Sequence, residues 1–328
     1  MKLKDLGEFG FIERIRQRVS GGQGVRLGIG DDCAVLDLPP GHVLLTTTDM
    51  LVEEIHFRRD WTDFENLGRK SVSVNVSDVA AMGGKPRHLY LSLGFPGDFP
   101  LEGLDSFVAG FLEACDDYGV TLVGGDTCSS PGPFVISVTV EGSVAENGYV
   151  ARRGARPGDA IYVSGTLGDS AMALHLLQNG RQPDSFLLDR HNNPRARTDL
   201  GAALGAARVP SAMIDLSDGL VADLGHILEC SAAGALVEET LLPLSSPFRT
   251  EFEGMPELIR LALAGGEDYE LLFTVPPVKE KLLAGIMEMT GLPLTRVGRI
   301  TADNLKLEVR DAGGRLYVPS HGGFNHFR

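Results

Sequence analysis

Ala151-Arg152-Arg153-Gly154-Ala155-Arg156-Pro157-Gly158-Asp159 is basic, punctuated by glycine and proline, and poor in large apolar side chains. A stretch of this kind adds nothing to a core and reads as a domain boundary. It divides 328 residues, more than one hydrophobic core usually serves, into halves 1–148 and 149–328.

Working outward, Phe9, Ile12, Ile15 and Val19 recur at helical spacing and predict an opening amphipathic helix. Short apolar runs predict strands at 33–37, 43–47, 89–95, 120–123 and 134–144. Helices are expected at 67–82 and 104–118, stopped by Gly83-Gly84 and by Gly119. Beyond the boundary, strands at 160–163, 213–216, 270–275 and 296–300 alternate with helices at 170–178 and 220–231. Both halves are therefore expected to be α/β (α+β).

Composition narrows the function. With 43% hydrophobic and 23% charged residues the chain has matter for sizeable cores. A formal charge of −14 argues against nucleic acid as a partner, because that binding relies on Lys and Arg displacing counterions. Cys33, Cys115, Cys128 and Cys230 form no C-x-x-C pair and read as reduced thiols. No apolar run approaches a membrane span, and the opening residues lack a signal-peptide core, so a cytoplasmic protein without membrane association is expected. The Gly83-Gly84-Lys85-Pro86 run lacks the upstream glycine and Ser/Thr of a phosphate loop, and Gly28-Ile29-Gly30 reaches Cys33 where a dinucleotide fingerprint needs its third glycine.

Four segments carry the chemistry: Gly28 to Asp32, Thr47-Thr48-Asp49, Asn75 to Asp78, and Gly124-Gly125-Asp126-Thr127. Each is read as lying where an apolar run meets a turn or a helix, several of them burying an aspartate against a strand end. Aspartate with threonine hydroxyls is a hard-oxygen donor set that suits Mg²⁺. One such segment alone is as readily a turn or helix cap; four together would leave charges that a cation must neutralise. In the second half, Ile214-Asp215-Leu216-Ser217-Asp218-Gly219-Leu220 places two acids and a hydroxyl at a strand-to-helix turn, suited to phosphate and its metal. Gly265-Gly266-Glu267-Asp268-Tyr269-Glu270 joins a helix to an apolar strand, and His56 follows Asp49 closely.

This ordered series, from Gly7-Glu8-Phe9 to the His326-Phe327 tail, resembles the thiamine-monophosphate kinase family, within the superfamily of ATP-dependent enzymes that includes aminoimidazole ribonucleotide synthetase and selenophosphate synthetase. The resemblance implies an N-terminal mixed-sheet domain that pairs with a second copy in a shared barrel, a homodimer, and a C-terminal α/β domain. It implies ATP as co-substrate and several Mg²⁺ ions held by Asp31, Thr47, Thr48, Asp49, Asp78, Asp126, Asp215 and Asp218, of which Asp49, Asp78 and Asp126 would hold catalytic metal. Tyr118, Gly125, Arg152 and Ser217 would contact ATP, with Arg153 an alternative to Arg152. His56, Glu267 and Phe324 would contact thiamine phosphate, whose cationic thiazolium and aminopyrimidine suit a carboxylate and an aromatic face. The competing readings are another synthetase of the superfamily and a non-catalytic Mg²⁺- or nucleotide-binding protein.

Overall fold

The computed structural model describes residues 7–19, 21–30, 32–303 and 305–319. Asp31, Phe324 and the His326-Phe327 tail, expected to serve the site, lie outside them. The chain forms two compact units, Met1–Val79 with Gly84–Asn147, and Ala80–Gly83 with Gly148–Arg328.

The first unit opens with helix α1 (Glu8–Arg16) and a small antiparallel pair, β1 (Val25–Leu27) and β2 (Val35–Leu36). Its main sheet is built from β3 (His42–Val52), β4 (Lys85–Phe95), β5 (Thr121–Ser129) and β6 (Val135–Ala145), in the order β3-β6-β4-β5. β6 runs antiparallel to both neighbours, whereas β4 and β5 are parallel. Among the described residues the sheet stays open, with β3 and β5 as its two edges. Ile136, Val138 and Val140 are buried and alternate along β6 with half-buried Ser137, Thr139 and Glu141, so one face is core and the other polar.

Two helices, α2 (Phe64–Ala81) and α3 (Leu101–Tyr118), cross at glycine contacts. A Cβ on Gly68 would lie 2.1 Å from the Phe107 carbonyl oxygen, and one on Gly110 would lie 2.0 Å from that of Glu65. Only glycine permits so close a backbone approach. Beneath them Phe95, Phe99, Phe107 and Phe134 form an edge-on and tilted aromatic cluster with centroids 5.2–5.9 Å apart.

The second unit holds a seven-stranded sheet of β7 (Ala160–Ser164), β8 (Ala212–Asp215), β9 (Gly234–Glu238), β10 (Leu271–Val275), β11 (Leu294–Thr301), β12 (Leu307–Arg310) and β13 (Leu316–Tyr317). Their order is β13-β12-β9-β11-β7-β10-β8, antiparallel except for the β12/β9 pair. Every residue of β10 is buried, which explains a sequence that is apolar except for Thr274. Packed apolar clusters around Ile161, Leu224 and Phe248, and around Leu200, Phe273 and Ile286, account for that burial. The helices are α4 (Asp169–Gln178), α5 (Ser185–Asn192), α6 (Thr198–Ala206), α7 (Leu220–Ser231), α8 (Ser246–Phe252), α9 (Ile259–Ala264) and α10 (Leu283–Thr290).

Mixed α/β architecture is thus found in both halves, with differences that bear on the site. The strand expected at 43–47 runs on to Val52, and that at 120–123 runs on to Ser129, so Asp49 and Asp126 lie inside strands and not at their ends. Asp78 lies within the last turn of α2. The physical reason is that β3 and β5 are edge strands with solvated positions, where polar side chains are compatible with continued pairing.

Candidate functional site

In the first unit the strand register sorts the polar residues by face. Across the sheet Thr47 pairs with Val140 and Leu89, and Asp49 with Val138 and Leu91, so Thr47 and Asp49 share the face carrying these buried residues. There α2 meets them. The Thr47 hydroxyl donates to Asp78 Oδ2 at 2.5 Å, and the Asp49 backbone N–H donates to Asn75 Oδ1 at 3.0 Å. Asn75 is itself fixed by donating to the Ser71 carbonyl at 2.9 Å. Residues 71, 75 and 78 are three and four apart, so one stripe of α2 carries all three toward β3.

Asp49 keeps a solvent-facing surface, yet burial at the rim of the sheet and the neighbouring Asp78 carboxylate push its pKa up to about 6. Two adjacent carboxylates with a threonine hydroxyl form an oxygen-only donor set whose mutual repulsion a divalent cation would relieve.

Asp126 is held differently. Its Oδ1 accepts the Thr127 N–H at 2.8 Å, and its register partners are Ser92 and, through β4, Ser137, which also lies opposite Met50. It therefore belongs to the opposite face from Asp49. The two also sit on opposite edges of a four-stranded sheet, three strand spacings or about 14 Å apart. Gly125 fits because a Cβ there would lie 1.9 Å from the Leu91 carbonyl oxygen. Thr48 faces the Asp126 side, donating to the Val138 carbonyl at 3.1 Å and accepting from Thr139 Oγ1 at 3.1 Å. Tyr118 Oη lies 3.0 Å from Ser73 Oγ at the end of α3. His56 Nδ1 accepts the Val52 N–H at 3.0 Å, which leaves Nε2 as the protonated ring nitrogen.

In the second unit, Asp215 ends β8, buried, and Ser217, Asp218 and Gly219 turn into α7. The backbone N–H groups of Asp218 and Gly219 donate to Asp223 Oδ2 at 3.1 and 3.0 Å. Asp218, Asp223 and His226 present ligand atoms within 4.8 Å of one another. Burial, then Asp215 and Asp218, pushes the Asp223 carboxyl up to about 8, against the pull of those two N–H groups. Arg152 is exposed, next to Ala151, whose carbonyl accepts the Met213 N–H at 3.1 Å and so ties the segment to β8.

The segment from Glu267 to Glu270 is tightly constrained. Glu267 and Tyr269 adopt left-handed backbone conformations with φ of 66° and 50°. Non-glycine residues persist there only when their surroundings impose it. Here the Glu267 N–H donates to the Ser217 carbonyl at 2.8 Å, the Tyr269 N–H to that of Leu216 at 2.9 Å, and the Leu216 N–H to that of Glu270 at 2.8 Å. Glu267, expected at the acceptor, and Ser217, expected at ATP, are thus backbone neighbours.

Sequence reading missed Asp223, His226 and the carboxylate–arginine network behind Glu267. Asp223 does carry a signal: it stands between Leu220 and Leu224 on the apolar stripe of α7, where a lone carboxylate calls for a partner.

A fold of two mixed α/β units, with oxygen-rich clusters in each, defines the AIR synthase type of protein: the AIR synthase related protein N-terminal domain matches residues 30–144 and its C-terminal domain matches residues 156–310. A thiamine-monophosphate kinase from Haemophilus influenzae is 40% identical over 98% of both chains. The crystal structure of thiamine-monophosphate kinase from Stenotrophomonas maltophilia K279a matches with a TM-score of 0.83 at 38% identity, over 94% of this chain and 97% of that one. A structure of AaThiL complexed with AMPPCP and TMP matches with a TM-score of 0.77 at 36% identity, over 100% and 99% of the two chains. The chain belongs to the thiamine-monophosphate kinase family.

Proposed function

We propose that this protein transfers the γ-phosphoryl group of ATP to thiamine phosphate, giving ADP and thiamine diphosphate. The observation that carries the reading is identity of about 40% with thiamine-monophosphate kinases over nearly the whole chain. The complex of AaThiL with AMPPCP, an ATP analogue, and TMP supports the same pair of substrates.

The acceptor's chemistry fits the residues. A phosphate monoester has a second pKa near about 6 and is largely dianionic at neutral pH, so no side chain need remove a proton before attack. The demand is to bring two polyanions together in line and offset their charge. Mg²⁺, when bound, supplies that neutralisation. Thr47, Asp49 and Asp78 would hold it on one face of the sheet and Thr48 and Asp126 on the other, with Asp215 and Asp218 holding further metal. Gly125, Tyr118, Arg152 and Ser217 serve ATP; His56, Glu267 and Phe324 serve thiamine phosphate. The N-terminal half, 1–148, is the Mg-ATP and dimerisation domain, and 149–328 the C-terminal α/β domain.

A homodimer is part of this reading. Among the described residues β3 offers an unpaired edge of eleven residues with Leu44 and Met50 more than half exposed. Asp49 and Asp126, on opposite edges and faces, cannot share one Mg²⁺ within a chain, because metal–oxygen distances are about 2.1 Å. Pairing of two sheets through their edges would bring Asp126 of one protomer toward Asp49 of another. No helix among the described residues is long and apolar enough to cross a membrane, and use of ATP points to the cytoplasm.

ADP release with candidate acceptors tests the function. Thiamine phosphate should be consumed with Mg²⁺ present, and thiamine should be a poor acceptor. Chromatography that finds thiamine phosphate untouched while a different acceptor is phosphorylated would overturn it.

A further inference from the structure

His191 is buried on α5, 6% exposed, although no metal or nucleotide role calls for a histidine there. Its Nδ1 lies 3.0 Å from Ser170 Oγ on α4 and 3.5 Å from Glu267 Oε2. Ser170 is itself buried, so the ring plane is set by packing of α4 against α5 and not by solvent. The Nδ1 edge of the ring thus faces both the Ser170 hydroxyl, its hydrogen-bond partner, and the Glu267 carboxylate at ion-pair distance.

The residue before it acts on the same segment. Arg190 donates to the Asp268 carbonyl and to Glu270 Oε1, both at 2.9 Å, and Glu270, fully buried, also takes Arg197 and accepts from Ser164 Oγ at 2.5 Å. Asp268 Oδ2 accepts the Gly168 N–H at 2.7 Å. Consecutive residues of α5 thus hold consecutive parts of the loop: Arg190 fixes the backbone at 268, and His191 meets the carboxylate at 267. A glutamate side chain has many rotamers to lose on binding a cation, and a contact that restricts them lowers that cost.

We infer that His191 is a positioning residue, holding the Glu267 carboxylate in the orientation that receives the cationic end of the acceptor. This rests on the reading above that Glu267 binds thiamine phosphate. Preorganising a charged side chain strengthens binding of the group that side chain faces.

Steady-state kinetics on the full chain, with thiamine phosphate and ATP varied in turn, test it. His191→Leu should raise KM for thiamine phosphate roughly tenfold, the scale of a lost charge-assisted contact, and move KM for ATP less than about twofold. His191→Asn places an amide N–H near the Nδ1 position and should restore most of the loss. In a Glu267→Gln background His191→Leu should add nothing, because the carboxylate it orients is gone. An equal rise in both constants, no rescue by Asn, or an undiminished effect in the Glu267→Gln background would each overturn the inference while the acceptor reading stands. If Glu267→Gln alone leaves the acceptor KM unchanged, the reading beneath it fails, and the inference with it.

Discussion

At the scale of single residues, charge and burial make opposite demands in the two units. Asp49, pushed to about 6 by burial and by Asp78, is a group whose folded pKa lies above its unfolded value. Its ionisation therefore opposes folding: the penalty is fully present above about pH 6, shrinks as pH falls from there toward the unfolded value, and is gone below it. Asp49→Asn should raise the melting temperature at pH 8 without Mg²⁺, have no such effect at pH 4, and reduce the stabilisation that added Mg²⁺ gives. Calorimetry at the two pH values checks this, and a variant less stable than the parent at pH 8 would count against it. Glu270 is the reverse case. Burial alone would push its carboxyl up, but Arg197, Arg190 and the Ser164 hydroxyl outweigh it and hold the pKa below the usual range. Its stabilisation is present above the unfolded pKa and is lost as pH falls through the folded one. Glu270→Gln leaves two arginines buried without their counter-charge and should cost about 3–5 kcal/mol in denaturant unfolding at pH 7. The neighbourhood of Asp49 was singled out in the sequence because Thr and Asp in a row are the oxygen donors a hard ion takes, and the structure brings Thr47, Asp49 and Asp78 together. Glu270 was not, because only folding brings Arg190 and Arg197 to it.

Elements were legible where periodicity and stop signals agree. The helix at 220–231 emerges with the expected bounds because Gly219 and the apolar stripe at 220, 224, 227 and 228 coincide. β3 was underestimated, since after Thr47 the polar residues interrupt the apolar signal while the backbone continues to pair with β6 as far as Val52. The short helices α5 and α6 were missed, because a sequence such as Ser185 to Asn192 has few apolar residues and forms a helix through tertiary burial of Leu187 and Arg190. That length of β3 now matters. Eleven residues of unpaired edge with exposed Leu44 and Met50 are too long and apolar to be left uncovered, so this strand should be the dimer seam. Leu44→Asp combined with Met50→Lys should halve the sedimenting mass and abolish turnover. A double variant that remains dimeric would place the interface elsewhere.

For the whole molecule, a net charge of −14 and the proposed site of aspartates would call for cations to reconcile ATP with the acceptor phosphate. The same sheet geometry that keeps Asp49 and Asp126 about 14 Å apart in one chain makes the arrangement testable by mixing. Asp49→Asn and Asp126→Asn should each fold, because an amide keeps the size of the carboxylate, and each should lose most turnover. If the metal site joins Asp49 of one protomer to Asp126 of its partner, a dimer of one Asp49→Asn chain and one Asp126→Asn chain carries both substitutions in one site and neither in the other. Random reassortment of equal amounts makes half the dimers mixed, so about a quarter of all sites should be intact. Turnover should recover toward that fraction after unfolding and refolding the two variants together, and not when they are refolded apart. If the site lies within one chain, every site in the mixture keeps one substitution and recovery is absent. That outcome would require the two edges of the sheet to serve separate ions along the polyphosphate, each held by one chain alone.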